Sequence, residues 1–208
     1  MIRALGVLLF LPVPIVLWLF TRAPLGVAAS LGLGVILMAT HRLYARPFAL
    51  GHAGARCLWC GGAAGAGPRF EVEEPLGTTP WRACGEPHAE RLARLLGWAS
   101  AHARGLKLGI LGSLALFLPL ALVAERARLG PLDYADVVNL FRLAVALSVL
   151  TLALRYGSAA PTGRLRSPFP IHIQALVGSA VVLWLFRLVG AVWLGLALHH
   201  FLTRTGLA

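Results

Sequence analysis

Apolar residues run almost uninterrupted over 4–20, 25–40, 108–124, 137–154 and 171–202, and polar residues gather between these runs. The hydrocarbon core of a bilayer is about 30 Å thick and a helix rises about 1.5 Å per residue, so runs of roughly 17–25 residues predict transmembrane helices. The expected fold is an all-α polytopic membrane helix bundle of about five such helices. Pro12 and Pro14 interrupt the first run and Pro119 the third. Each removes a backbone donor and predicts a kink. In the second run Gly26, Ser30 and Gly34 stand four apart, a spacing that lets another helix approach closely. The last run would be about 48 Å long as one helix. It is therefore expected to tilt, to protrude or to break near Arg187 and Gly190. The N-terminal run, preceded by Arg3 and followed by small residues at Ala28 and Ala29, shares features with a signal peptide and is taken here as a retained span.

Between 41 and 107 the apolar runs stop, which divides the chain into a transmembrane hairpin (1–40), an insert (41–107) and three further transmembrane helices (108–208). Inside the insert, "RFEVEE" (69–74) alternates Phe70 and Val72 with charged residues, "PLGTTP" (75–80) can turn, and "WRA" leads back: a short hairpin. The segment "AERLARLLGWASAHARG" (89–105) reads as a helix with Leu92, Leu95, Leu96 and Ala99 on one face and Arg91, Arg94 and Arg104 elsewhere. Such a helix can lie along the inner membrane surface or pack over the hairpin. The stretch 155–170 reads as a turn-rich loop.

Composition agrees with a membrane protein, since 58% of the 208 residues are hydrophobic and only 13% are charged. The net charge of +11 comes from nineteen basic residues, all arginine except Lys107, against eight acids. In a soluble protein that balance would point to nucleic acid; here, loop arginines orient membrane segments and touch anionic lipid headgroups, so no nucleic-acid partner is expected. Thirteen basic residues fall on the N-terminus, the insert and the 155–170 loop, and four (Arg22, Arg126, Arg128 and Arg204) on the other side. The positive-inside rule then places the insert in the cytoplasm and the chain in the inner, cytoplasmic membrane.

The insert also carries the most specific chemistry. Cys57 and Cys60 form C-x2-C followed by Gly61 and Gly62, and Cys84 and His88 form C-x3-H. A two-residue gap backed by glycine makes a tight knuckle, and a three-residue gap brings two ligands together at the first turn of a helix, so each pair suits one side of a tetrahedral zinc ion. Pro87 fits an early helical position, and Glu86 and Glu90 suit the positive end of that helix. His52 is an alternative fourth ligand. An odd number of cysteines in a reducing compartment disfavours disulfides. Gly61 occupies the place where a c-type haem motif needs histidine, and a thioredoxin-like pair would want a βαβ setting. Knuckle, hairpin and ligands at a helix start resemble, in outline, a treble-clef or zinc-ribbon module. One structural Zn2+ on Cys57, Cys60, Cys84 and His88 is expected, and its filled sphere has no position for an activated water.

Arg142 and Arg187 fall within apolar runs, at a cost of a few kcal/mol each by insertion scales if central. Asp133 and Asp136 are candidate partners for Arg142 along one helix face. His41, His102 and His172 near one side of the membrane and His199 and His200 near the other admit a haem or a second metal. No P-loop, dinucleotide fingerprint, serine elbow or paired-carboxylate motif is present in the sequence. The function expected is that of a non-catalytic accessory, assembly or scaffold subunit, in contact with membrane lipids, whose zinc module docks a membrane or cytoplasmic partner protein. The alternatives are a small transporter or lipid-handling protein using Arg187 and the proline-kinked helices, and a haem or redox subunit of an electron-transfer complex.

Overall fold

The computed structural model describes Ala39, Leu43, Tyr44 and residues 46–75, 77–124, 132–158 and 165–206. Apart from Ala39, the expected spans at 4–20 and 25–40 lie outside the described residues, as do Pro12, Pro14, Gly26, Ser30, Gly34 and His41. The elements in chain order are α1 (Arg46–Gly51), β1 (Arg69–Glu74), β2 (Gly77–Arg82), α2 (Glu86–Ala101), α3 (Ala103–Ala124), α4 (Tyr134–Arg155), β3 (Leu165–Arg166), α5 (His172–Val177) and α6 (Ser179–Arg204). The protein is mostly helical, and α3, α4 and α6 are long and apolar enough to cross a membrane. Two compact units divide the described residues: one runs up to Ala101 and takes in Arg155–Leu183, and the other holds His102–Leu154 and the residues from Trp184 onward.

The first unit is built on the hairpin that the alternation in "RFEVEE" predicts. β1 and β2 pair antiparallel, with Phe70 opposite Trp81 and Val72 opposite Thr79. Val72 and Trp81 are buried, and the Trp81 indole N–H donates to Thr79 Oγ1 at 2.7 Å. The 155–170 stretch is more than a loop, because Leu165–Arg166 adds a parallel strand beside β1, giving the order β2-β1-β3. Arg166 binds Glu73 across that pairing at 2.7 Å. Glu74, on the same strand face as Val72, accepts the Ile171 N–H at 2.9 Å and the Thr79 hydroxyl. These bonds tie 165–171 to a hairpin some ninety residues earlier in the chain. The core that results includes Leu58, Val72, Trp81, Leu92, Leu96 and Ile171. It is larger than 41–107 alone supplies.

Helix α2 covers this core with the face read from the sequence, burying Leu92, Leu95, Leu96, Trp98 and Ala99. Of the two roles expected for it, packing within the module is the one these buried leucines fulfil.

In the second unit α3, α4 and α6 run up, down and up. Phe117 of α3 stacks on Phe141 of α4 at 4.5 Å, and Gly109 lies against Ser148 so closely that a Cβ would overlap the Ser148 hydroxyl. Phe141 in turn meets Trp193 of α6 at 6.0 Å, and a Cβ on Gly190 would stand 2.6 Å from Leu150. Residue numbers that rise on one helix as they fall on its neighbour mark both pairs as antiparallel. Ala121, Ala146, Ala153 and Ala197 are fully buried, so small residues set the closeness of packing between these helices. α3 runs on through Pro119 and contains a wider π turn at Leu108–Gly112.

The apolar run 171–202 breaks, although at neither of the expected points. α6 is continuous through Arg187 and Gly190, and the interruption is Gly178, at φ 94° and ψ 141°. That conformation is nearly exclusive to glycine. The expected pairing of Arg142 with Asp133 or Asp136 also differs. Asp136, fully buried, engages Arg204 and His200 (Nε2 to Oδ1, 2.9 Å) and accepts the Asp133 N–H at 2.8 Å, whereas Arg142 donates to Asn139 Oδ1 at 3.1 Å. The acids therefore join the first turn of α4 to the last turns of α6.

Candidate metal centre

The two halves of the cysteine motif meet. One ligand atom from each of Cys57, Cys60, Cys84 and His88 lies within 4.8 Å of the other three. Cys57 Sγ is 3.6 Å from His88 Nδ1, and Cys84 Sγ is 2.9 Å from the same nitrogen. Tetrahedral zinc with ordinary bond lengths puts a sulfur and a nitrogen about 3.6 Å apart and two sulfurs about 3.8 Å apart, so three sulfurs and one imidazole at these separations can hold a metal ion. The three cysteines form no disulfide.

The local backbone explains the convergence. Gly61 donates its N–H to the Cys57 carbonyl at 2.8 Å and takes φ 68°, which closes the knuckle and aims the Gly62 N–H at Cys60 Sγ, 3.4 Å away. The knuckle is sewn to the end of the hairpin by the Leu58 N–H on the Arg82 carbonyl at 2.9 Å, and so lies close to Cys84, just beyond the end of β2. α2 begins at Glu86, with the His88 and Ala89 N–H groups both on the Gly85 carbonyl at 3.1 Å, and its first turn delivers His88 beside Cys84. Cys57 is buried, Cys60 and His88 are half-buried and Cys84 is exposed, so the cluster sits at the edge of the module.

Burial raises the Cys57 thiol, but the backbone groups of Cys60, Cys84 and Trp59 and the Cys60 side chain outweigh it and leave Cys57 below its ordinary value. Cys84 is pushed up to about 11, through lost solvation, then the hydrogen bond and negative charge of Cys57 and the charge of Cys60. Thiolates crowded together resist a further negative charge until a cation neutralises them. At neutral pH Cys84 thus keeps its proton in the metal-free cluster, and a metal must expel it. Affinity for the metal is then expected to fall by about tenfold or more per unit as pH drops from 8 to 6. Competition with a chelator at three pH values measures that slope; a flat profile would mean the thiol is already ionised.

Sequence reasoning missed what holds the knuckle from behind. Leu58 and Trp59, the two residues between the cysteines, are buried, and their carbonyls accept the Ser179 and Ala180 N–H groups at 2.8 and 2.9 Å. The Ser179 hydroxyl also donates to the Leu58 carbonyl at 2.9 Å. Arg56 bridges the same place, donating to the Leu176 carbonyl at 2.9 Å and to the Gly61 carbonyl. The Trp59 ring lies 5.9 Å from Tyr156, with the Arg91 guanidinium above it at 5.9 Å. The run "GSA" at 178–180 has the small residues such a contact needs, but it resembles any other part of an apolar helix. His52, the alternative ligand, lies outside the cluster, with Nδ1 2.8 Å from the Phe48 carbonyl. Among the histidines considered for haem, His172 is buried at the start of α5 and His200 is engaged by Asp136.

Comparison with known proteins returns no match: no family model, no curated protein and no solved structure corresponds to this chain.

Proposed function

We propose that the chain is a non-catalytic accessory, assembly or scaffold subunit of a membrane, in which Cys57, Cys60, Cys84 and His88 hold one structural Zn2+ and the module around that ion docks a partner protein. The observation that carries the reading is the use made of the knuckle: the carbonyls of Leu58 and Trp59 cap the first N–H groups of α6. A helix start otherwise leaves four such donors without an intrahelical partner. Three thiolates and an imidazole favour zinc, and with four protein ligands the ion has no open position for water or substrate. A metal so placed would brace the knuckle that caps the first turn of α6. It does not need to do chemistry.

The order of knuckle, hairpin and ligand-bearing helix supports a treble-clef-like or zinc-ribbon-like module, extended by β3 and α5. Together with the apolar runs at 4–20 and 25–40, the three long helices support five spans. Orientation follows from charge. In the helical unit, the beginning of α3 and the neighbouring part of α6 carry Arg104, Lys107 and Arg187, against Arg204 at the opposite end, where it meets Asp133 and Asp136. The positive-inside rule turns the basic end, and with it the side from which α3 and α6 start, toward the cytoplasm.

Native mass spectrometry of a mild-detergent extract, paired with metal analysis, tests both parts. The expected result is the 22.1 kDa chain carrying one zinc within a larger assembly, and release of the partner when a chelator removes the ion. A chain that carries zinc but no partner would refute the docking role alone, and one that carries no zinc would refute the metal.

A further inference from the structure

We infer that Arg187 and Trp184 of α6 form a binding site for the phosphate group of an anionic phospholipid. Arg187 is the only Asp, Glu, Lys or Arg between Ser179 and Arg204. Its Nε and Nη2 both donate to the Ala153 carbonyl of α4, at 3.2 and 2.9 Å, and its guanidinium lies 5.5 Å from the Trp184 ring. No carboxylate pairs with it among the described residues. The carbonyl accepts from one edge of the guanidinium, and the Nη1 donors remain for a ligand. A planar fork fixed in this way, with its charge uncompensated, suits a phosphodiester oxygen better than a point-like cation would.

The surroundings favour lipid as the source of that phosphate. Trp184 is 68% exposed, and Leu188 and Leu154 beside the guanidinium's two helices are 62% and 67% exposed, so the charge borders an outward apolar surface that acyl chains can cover. Depth agrees as well. α6 has 26 residues, about 39 Å, and centring it on a core of about 30 Å leaves Arg187 about 8 Å inside the boundary, within the range of a snorkelling side chain. Arg104 and Lys107, both exposed in the first turns of α3, add positive charge at the same end of the bundle. A tryptophan at that level is what an interfacial anchor requires. The inference does not depend on the metal.

The test uses the full chain in vesicles or mild detergent. Native mass spectrometry with phosphatidylglycerol and phosphatidylcholine supplied equally is expected to show retained phosphatidylglycerol, with about fivefold or greater loss of that binding in Arg187→Gln and a smaller loss in Arg187→Lys. Inorganic phosphate at the same concentration is expected not to displace it; displacement would make the site one for free phosphate and overturn the lipid assignment. Because a substitution at Arg187 can also disturb the α4–α6 contact, a second measurement leaves it intact. Brominated phosphatidylglycerol is expected to quench the parent's fluorescence more than brominated phosphatidylcholine, and the excess is expected to vanish in Trp184→Phe. Equal quenching by the two lipids, or undiminished phosphatidylglycerol retention in a folded Arg187→Gln chain, would overturn the proposal.

Discussion

Cys57→Ser is expected to take the metal content from about one ion per chain to near zero and to unfold the surface module while leaving the membrane helices inserted. Two effects combine at this position. An apparent binding free energy of about 10–16 kcal/mol for structural zinc is folding free energy, and one missing thiolate forfeits most of it. Cys57 is also fully buried beside Leu58, so a serine hydroxyl there would replace a thiolate ligand with a poorer one at the corner of the cluster that water does not reach. Cys84→Ser, at the exposed corner of the cluster, is expected to lose the ion with a smaller packing cost. Metal analysis, a thermal melt and protease protection of the helices distinguish these outcomes. Full zinc retention in Cys57→Ser would mean that the four residues do not share one ion.

The effect of losing the ion is moderated by a core that the insert alone does not provide. Trp81, Leu92 and Leu96 come from the insert, but Ile171 comes from beyond α4, and the third strand comes from 165–166. A metal-free chain therefore has something to collapse around. Loss of cooperative unfolding, with residual burial of Trp81, is the form that unfolding should take.

The cluster was legible because tetrahedral coordination imposes short, fixed spacings, and C-x2-C-G-G and C-x3-H satisfy them without reference to the rest of the chain. The hairpin was legible for a related reason: the period of two in "RFEVEE" is local. What escaped the sequence depends on distant partners. β3 has only two residues, and nothing in "RLRSP" marks Leu165 for a place beside Val72, 93 positions earlier. Asp136 pairs with residues 64 and 68 positions later, whereas the nearest cation on its own helix is Arg142. A charge and a glycine within the last apolar run mark Arg187 and Gly190 as places for a break. Gly190, however, lies against Leu150 within a continuous helix, and Arg187 is accommodated by a carbonyl and a tryptophan. Hydropathy is blind to the difference between Gly178 and Gly190, because the two differ in backbone dihedrals and neighbours, not in polarity.

Gly178 stands between the cysteine knuckle and the first turn of α6, which makes Gly178→Ala the most informative change at a residue that is not a candidate ligand. An added Cβ would stand 2.6 Å from the Cys60 carbonyl carbon and 2.7 Å from the Gly61 nitrogen, both backbone atoms that cannot swing aside. Its φ of 94° adds strain for any residue with a side chain. Strain of about 1–3 kcal/mol and overpacking of about 1–3 kcal/mol together predict a loss of about 2–6 kcal/mol. Relief requires the knuckle to move off α6, which would surrender the Ser179 and Ala180 caps and shift Cys57 and Cys60 relative to Cys84 and His88. Weaker metal binding is therefore expected from a substitution 94 residues from Cys84, together with a lower melting temperature. Gly65→Ala is the matched control: its φ is 55° but nothing lies within 4 Å, so strain acts there without a clash. It is expected to cost about 1 kcal/mol and to leave the metal in place. If Gly178→Ala binds metal as tightly as Gly65→Ala, the knuckle does not need the first turn of α6 to keep its shape, and the proposed bracing of the metal site by Ser179 and Ala180 fails.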